Sequence, residues 1–295
     1  MKKPIVSVVM ITYAHENFIE QAINGVLMQE CDFEIELIVS NDCSPDNTDE
    51  IINQILKNNP KSNLIRYIKH KKNIGSISNF IYALKEAKGS FIALCDGDDY
   101  WTDPNKLKKQ VSFLLENKEF VLTGHLRNIV NNQNISINSS LIQFDEGYYS
   151  QCILFRNVLK NDFFDFNYSK LITGDTFLML YLENFGKFKL LNFVGSSYRV
   201  SNTGVWSLKQ ADEKYHKSNL SYNEMLLFFN KYNYKISFSK VVTYKIDNFI
   251  RYAIRLKEEK AYFRSLYYYL KYNFNFIIKG RVNLVNIKTS IRYFK

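Results

Sequence analysis

The chain of 295 residues is 46% hydrophobic and has a formal net charge of +10, which is enough apolar material for one large domain with an appendage. Its four cysteines form no Cys-x-x-Cys pair, and no apolar run reaches the roughly 18 residues that a membrane-spanning helix needs. These features exclude a disulfide-stapled scaffold and an inserted membrane protein. With no signal-peptide core at the amino terminus, they predict a cytoplasmic protein with reduced thiols.

A repeated strand and helix pattern occupies the first hundred residues. Short, β-branched apolar runs predict four strands, and amphipathic segments between them predict three crossover helices. The predicted strands are 5–11, 35–39, 64–68 and 91–95, and the predicted helices are 17–28, 46–56 and 76–87. This alternation predicts a layered α/β domain with helices on both faces of the sheet and the first strand in its interior.

Polar residues follow the predicted strands at the point where each strand ends. Thr12 follows the first strand, Asp42 follows the second, and the acidic sequence Asp96-Gly97-Asp98-Asp99 follows the fourth. Because ligands bind beyond the carboxyl ends of parallel strands, we expect these side chains on one rim. Crowded carboxylates raise one another's pKa unless a cation compensates them, and their oxygens are ligands that Mg²⁺ and Mn²⁺ prefer. The acidic sequence is therefore predicted to hold a divalent metal that bridges the phosphates of a nucleoside diphosphate.

The same residues leave other interpretations open. Asp42 lies among turn-forming residues, so a turn role is about as consistent with the sequence as a ligand role. Tyr100 and Trp101 have aromatic faces suited to stacking on a sugar or acceptor, but Trp101 is equally suited to core packing. A phosphatase-like Asp-x-Asp nucleophile is a further hypothesis, but Tyr100 stands where that chemistry expects threonine or valine. None of the four histidines is assigned a role, because they show no metal-ligand spacing.

The positive charge is concentrated in the last third of the chain. Residues 1–207 contain 21 Lys and Arg against 23 Asp and Glu, whereas residues 208–295 contain 18 against 6. We therefore predict one domain at 1–207 and a basic, aromatic-rich helical region at 208–295, with helices at 241–257 and 260–272. Basic amphipathic helices suit an anionic membrane surface, although a helical cap or a dimer interface explains the pattern nearly as well. No nucleic-acid module accompanies the charge, so nucleic acid is not predicted as a partner.

A series of motifs in the first 207 residues resembles the successive motifs of family 2 glycosyltransferases. The motifs keep the family's order and spacing, and they are Val6–Tyr13, Asn41–Thr48, Asn73–Gly75 with Asn79, Asp96–Trp101, Gly174-Asp175 and Tyr198–Ser207. The resemblance implies the GT-A fold, a Rossmann-like α/β domain of nucleotide-diphospho-sugar transferases with a central mixed sheet and flanking helices. The basic helical extension lies outside it.

The resemblance also implies an activity, an inverting and metal-dependent transfer of a sugar to an acceptor hydroxyl. The donor is expected to be a nucleotide-sugar, most often a UDP-sugar, and the acceptor a growing glycan or a lipid-linked saccharide of bacterial surface-polysaccharide synthesis. The expected location is the cytoplasm, peripheral on the inner face of the cell membrane. The alternative is a catalytically silent glycan-binding or scaffold protein that retains the fold.

Residue roles follow from the same resemblance, position by position. Asp175 is implied to be the general base, although the residues alone favour a helix N-terminal acid there. Thr12 is implied to contact the nucleotide, Asp42 the uracil and Asp96 the ribose. Asp98 and Asp99 are implied to bind the Mn²⁺ or Mg²⁺ ion, with Asp99 as first choice. Arg199 and Trp206 are implied to contact the donor.

The sequence departs from the family pattern at two positions. Ser201 stands where the family commonly has a histidine that assists the metal or the diphosphate, and Ala14 stands where it usually has asparagine. The first difference is expected to lower metal affinity or to leave the donor contacts to Arg199 and Trp206.

Overall fold

The computed structural model describes residues 5–135, 148–171, 174–200 and 211–258. The chain divides into two compact units. The first comprises Met1–Ser169 with Thr173–Thr203, and the second comprises Lys170–Ile172 with Gly204–Lys295. The predicted boundary at residue 207 stays a prediction, because it lies outside the described residues.

The first unit contains one mixed sheet, which is built from eight described strands in the order β3-β2-β1-β4-β7-β6-β8-β5. The strands are β1 (Val6–Thr12), β2 (Ile35–Asn41), β3 (Ile65–Lys69), β4 (Phe91–Leu94), β5 (Tyr100–Trp101), β6 (Phe120–Val130), β7 (Leu154–Arg156) and β8 (Lys187–Arg199). The first four strands are parallel, β7 is antiparallel to β4 and to β6, and β8 is parallel to β6. The four predicted strands and the interior position of β1 are confirmed.

Helices connect these strands as the apolar periodicity predicts. In the first unit they are α1 (Ile19–Leu27), α2 (Thr48–Asn58), α3 (Ser76–Glu86), α4 (Lys106–Glu116), α5 (Asn161–Phe164) and α6 (Gly174–Leu182). The three predicted crossover helices match α1, α2 and α3 to within two residues at each end. Helix α1 shows the cause, since Ile19, Ala22, Ile23 and Val26 are all buried and lie on one face at helical spacing.

The register of the parallel strands brings their carboxyl ends to one edge. Thr12 pairs with Asn41 across β1 and β2, and Val9 pairs with Leu94 across β1 and β4. The pairing continues past β4, because the Gly97 amide donates to the Ile11 carbonyl at 2.9 Å. The chain segments after β1, β2 and β4 therefore leave the sheet side by side.

The second unit is helical over the described residues. Helix α7 (Ala211–Lys231) and helix α8 (Lys235–Glu258) are joined by a short turn in which Asn233 has a left-handed φ of 59°. Tyr215 and Tyr252 stack between the two helices with ring centroids 4.0 Å apart. The predicted helix 241–257 lies within α8, whereas the predicted helix 260–272 lies outside the described residues. No described helix has both the length and the apolar content needed to cross a membrane.

Candidate functional site

Two loops of the rim, residues 13–18 after β1 and residues 42–48 after β2, hold each other through hydrogen bonds. We call this pair of loops the clasp. The Glu16 amide donates to Asp46 Oδ2 at 3.0 Å, and the Asn47 amide donates back to Glu16 Oε2 at 3.0 Å. Two further bonds run from the Ala14 amide to Ser44 Oγ at 3.0 Å and from the His15 amide to Thr48 Oγ1 at 2.9 Å. The clasp fixes one side of the rim before any ligand is bound.

The clasp contains two non-glycine residues in the left-handed region. Ala14 has a φ of 58° and Cys43 a φ of 60°. This conformation costs an ordinary residue roughly 1 kcal/mol, whereas asparagine adopts it more readily. The asparagine usual in the family at the position of Ala14 therefore suits the backbone found here, and this chain bears the strain instead.

Asp42 is buried in the rim with 2% of its surface exposed, and its side chain organises the chain after β3. Its Oδ1 accepts the Ile74 amide at 2.7 Å, and its Oδ2 accepts the Gly75 amide at 2.9 Å. Gly75 has a φ of 88°, a conformation that favours glycine. Asp42 therefore fixes the turn that starts α3, and the uracil contact stays a prediction.

The acidic loop, Asp96–Asp99, lies beside the clasp and joins β4 to β5. Ser150 Oγ donates to Asp96 Oδ2 at 2.7 Å, and the Arg199 amide donates to Asp99 Oδ1 at 2.8 Å. Asp99 is 3% exposed, whereas the Asp98 side chain is 39% exposed. The structure thus buries Asp99, whereas Asp96 and Asp98 are only partly buried.

Burial and mutual repulsion raise the pKa values in the acidic loop. Loss of solvation, together with the charges of Asp98 and Asp175 and against the hydrogen bond from Ser150, raises the pKa of Asp96 to about 7. Burial, Asp98 and Asp96 raise the pKa of Asp99 well above its usual range. The charge of Arg127 acts against the rise at Asp99 without offsetting it, so a bound cation would stabilise the charged forms of these carboxylates.

Asp175 lies in the first turn of α6, where it is exposed and accepts the Thr176 amide at 2.7 Å. Its charge contributes to the raised pKa of Asp96, so the two carboxylates lie within electrostatic range. The chain separates them by almost eighty residues. The charge of the predicted base therefore acts on the acidic loop, and Asp175 also has the helix N-terminal position that the residues alone predict.

His15 joins the clasp to the acidic loop, and the sequence analysis assigned it no role. Its Nδ1 lies 3.2 Å from Thr12 Oγ1, and its Nε2 lies 3.9 Å from Asp98 Oδ2. A Cβ atom on Gly97 would lie 2.8 Å from Thr12 Cβ and 2.9 Å from His15 Nδ1, so only glycine allows this approach. Burial lowers the pKa of His15, against the charges of Asp98 and Asp46. The glycine between the two acids was the signal in the sequence for this close packing.

Thr12, predicted to contact the nucleotide, is 2% exposed and touches the imidazole of His15. Its observed role is to position that ring, and the nucleotide contact stays a prediction. Trp206 and Ser201 lie outside the described residues.

Of the two aromatic residues predicted to contact the sugar or acceptor, Trp101 is enclosed by the protein and Tyr100 is not. Trp101 is 2% exposed, donates from Nε1 to the Gln151 carbonyl at 3.0 Å and has Lys106 Nζ 3.9 Å from its ring centroid. The sugar-stacking hypothesis for Trp101 is therefore replaced by the core-packing alternative. Tyr100 is partly buried, with the Arg199 guanidinium 5.1 Å from its ring centroid.

Arg199, at the end of β8, is 4% exposed, so its predicted donor contact does not match its position. Its guanidinium donates to the Asp98 carbonyl, to Gln21 Oε1 at 2.7 Å and to Asn134 Oδ1 at 2.6 Å. The side chain thereby ties the acidic loop to α1 and to the segment after β6. Arg199 supports the loop from below because its hydrogen-bonding groups are turned into the protein.

The acids suit a metal that arrives with a phosphate ligand. Within the described ranges, no group of three or more His, Cys, Asp or Glu side chains is arranged to hold a metal ion by itself. Mg²⁺ bound with a nucleotide takes one or two protein carboxylates and completes its shell with phosphate oxygens and water. Asp98 is the better placed carboxylate, because Asp99, the first choice from the resemblance, is buried and has one oxygen engaged.

Comparison with known proteins gives one family and a common fold. The family model described as "Glycosyl transferase family 2" matches residues 7–172. The UDP-Glc:alpha-D-GlcNAc-diphosphoundecaprenol beta-1,3-glucosyltransferase WfgD of Escherichia coli is 31% identical over 216 residues, which are 70% of this chain and 81% of that protein. An uncharacterised protein of Mycobacterium tuberculosis is 41% identical over 119 residues, 40% of this chain, and the match spans only 34% of the mycobacterial protein.

Solved structures share the architecture at low sequence identity. Staphylococcus aureus TarS in complex with UDP-GlcNAc superposes with a TM-score of 0.61 at 19% identity, covering 88% of this chain and 79% of TarS. The mannosyltransferase PcManGT from Pyrobaculum calidifontis, in complex with GDP-Man and Mn²⁺, gives a TM-score of 0.54 at 14% identity, covering 78% of this chain and 64% of that one. At these identities the likeness is one of fold.

Proposed function

The chain belongs to glycosyltransferase family 2 and has the GT-A fold, and from this premise we propose that it transfers a sugar from a UDP-sugar to an acceptor hydroxyl with inversion at the anomeric carbon. The observation that carries the proposal is the acidic loop at the carboxyl ends of the parallel strands, and the contribution of the Asp175 charge to the raised pKa of Asp96 supports it. Inverting transfer needs a carboxylate for the acceptor near the group that holds the diphosphate.

The proposed reaction assigns one task to each side of the site. Asp175 accepts the proton of the acceptor hydroxyl while the hydroxyl oxygen forms a bond to the anomeric carbon. The bond from that carbon to the diphosphate oxygen breaks on the opposite face, and UDP leaves with the electron pair. A Mn²⁺ or Mg²⁺ ion held at Asp98, when bound, stabilises the negative charge of the leaving diphosphate. Asp42 and Arg199 keep the neighbouring loops in place.

The acceptor is proposed to be a saccharide on a lipid carrier at the inner face of the cell membrane. The name of the E. coli relative describes a glucosyltransferase acting on a sugar-diphosphoundecaprenol, which supports a lipid-linked acceptor here. The 18 Lys and Arg against 6 Asp and Glu in residues 208–295 support attraction to an anionic bilayer.

A donor panel tests the function. The purified chain is incubated with Mn²⁺, an acceptor extract and one of UDP-Glc, UDP-GlcNAc, UDP-Gal or GDP-Man, and the released nucleotide diphosphate is measured. Release from a UDP-sugar, abolished by chelation, is expected. Failure of every donor to bind or turn over would contradict the proposal.

A substitution tests the base within the same assay. Asp175→Asn should lower transfer by about 10²- to 10⁴-fold, because the amide cannot accept the hydroxyl proton, and it should leave the donor dissociation constant within about twofold. Glu116→Gln removes an equal charge from an exposed position in α4 and serves as the control. Unchanged transfer by Asp175→Asn would remove this residue from the chemistry.

A further inference from the structure

The backbone of His15 is fixed on both sides of its side chain. The His15 amide donates to Thr48 Oγ1 at 2.9 Å, and its carbonyl accepts the amides of Phe18 and Ile19, both at 2.9 Å. The second pair of bonds begins α1. These three hydrogen bonds therefore fix the backbone from which the His15 side chain projects.

The imidazole ring is oriented as well. Thr12 Oγ1 lies 3.2 Å from Nδ1, and Gly97 packs against the same edge of the ring. Nε2, the other nitrogen, is the atom turned to Asp98 Oδ2 at 3.9 Å. A hydrogen-bond partner on one ring nitrogen that leaves the other free to coordinate is the usual arrangement around a metal-bound histidine.

We propose that His15 Nε2 and the Asp98 carboxylate together hold the divalent cation that binds with the donor diphosphate. The inference rests on the proposed function, because the diphosphate supplies the remaining ligands. Adjacent ligands of an octahedral ion lie about 3 Å apart when the bonds are near 2.1 Å, so the observed 3.9 Å must shorten by about 1 Å when the ion binds. Thr12 and Gly97 then act as positioning residues for the imidazole.

The nitrogen ligand has a consequence for metal choice. Imidazole suits transition metals, whereas Mg²⁺ prefers an all-oxygen shell. A site made of His15, Asp98 and phosphate oxygens therefore favours Mn²⁺ over Mg²⁺. A site made of the acidic loop alone would show a weaker preference.

Electron spin echo measurements on Mn²⁺ test the assignment directly. The full chain is loaded with Mn²⁺ and UDP, and modulation from a directly bound ¹⁴N nucleus is expected. The modulation should change to the ¹⁵N pattern when histidine is ¹⁵N-labelled, and it should disappear in His15→Gln. His70→Gln is the matched control, because His70 Nε2 lies 3.0 Å from Asn79 Oδ1, at the end of β3. This control should keep the modulation.

Calorimetry supplies a second readout. His15→Gln should weaken Mn²⁺ binding in the presence of UDP at least about tenfold and Mg²⁺ binding less, so the preference between the two ions falls. Absence of nitrogen modulation in the wild-type chain, or its survival in His15→Gln, would overturn the inference. Should His15→Gln fail to fold, wild-type modulation that does not respond to histidine labelling overturns it equally. Turnover of a UDP-sugar without a nitrogen signal rejects this inference alone, whereas failure of all donors to bind rejects the proposed function.

Discussion

The carboxylates on the two sides of the rim differ in the direction in which the protein shifts their pKa values. On the β2 side, Asp49 accepts hydrogen bonds from Lys69 and Tyr67, which lower its pKa. Burial acts against Asp46, but hydrogen bonds from the Thr48 side chain and the Glu16 amide still lower its pKa. On the β4 side, burial and neighbouring acids raise the pKa values of the acidic loop.

From this difference we infer that Asp46 and Asp49 stabilise the fold, whereas the acids of the acidic loop are available to a ligand. Asp46 in the clasp and Asp49 in α2 accept hydrogen bonds from donors of the chain itself, which stabilise their charged forms. In the acidic loop, Asp96 accepts one hydroxyl donor and Asp99 one amide donor, and the Asp98 side chain is 39% exposed. We therefore expect an added cation to stabilise the acidic loop rather than Asp46 or Asp49, although both regions are rich in aspartate.

The largest expected effect is a pH dependence of opposite sign on the two sides. The pKa of Asp96 is about 7 in the folded chain and about 3.9 when unfolded, so its contribution to stability is present below pH 4 and is lost as the pH rises to 7. The pKa of Asp46 is lowered, so its contribution is present above about pH 4 and is lost as the pH falls below that value.

Urea unfolding of the metal-free chain at several pH values measures this. Between pH 4 and 7, the wild type should lose on the order of 1 to 4 kcal/mol relative to Asp96→Asn. The wild type should lose free energy of unfolding relative to Asp46→Asn only when the pH falls below about 4. Parallel curves for wild type and Asp96→Asn over this interval would mean that burial does not raise the pKa of Asp96.

A smaller effect is expected from the same chemical change made once on each side. Asp98→Asn should weaken Mn²⁺-assisted UDP binding about tenfold or more and leave the free energy of unfolding of the metal-free chain unchanged or higher, because repulsion in the acidic loop falls. Asp46→Asn should reduce the free energy of unfolding by about 1 to 2 kcal/mol, because three hydrogen bonds to Asp46 lose their charged acceptor. Calorimetry and urea unfolding measure the two quantities. Equal losses in both assays for both variants would remove the distinction between the sides.

The smallest effect concerns the backbone of the clasp. Ala14→Asn should raise the free energy of unfolding by roughly 0.5 kcal/mol, because asparagine adopts the φ of 58° more readily. Ala14→Val, at the same exposed position, should lower it by about 1 kcal/mol, since a β-branched residue is strained there. Thermal unfolding of the two variants gives the difference, and the reverse order would show that the clasp does not hold this residue in the left-handed region.

The sequence was sufficient for the parallel half of the sheet. The strands β1, β2 and β4 are short apolar runs buried on both faces, and the polar residues after them must meet because parallel strands end at one edge. Asp42 and the acidic loop were therefore found on one rim without knowledge of any side-chain contact.

The remaining contacts depend on packing over long sequence separations. The burial of Trp101 depends on Gln151 and Lys106, and the partners of Arg199 are Gln21 and Asn134, which no local pattern connects. The role of His15 follows from a gap that only Gly97 leaves. Periodicity reports the face of a strand or helix that is buried, but it carries no information about which distant side chain fills the space.

Arg199 gives the acidic loop a second attachment. Its amide donates to the Asp99 side chain, and its guanidinium donates to the Asp98 carbonyl. These two hydrogen bonds connect the end of β8 to the acidic loop. One residue of β8 therefore contacts both acids. The positions of the acids on the rim are consequently set by β8 as well as by β4, so the antiparallel side of the sheet shares in building a site that the parallel strands begin.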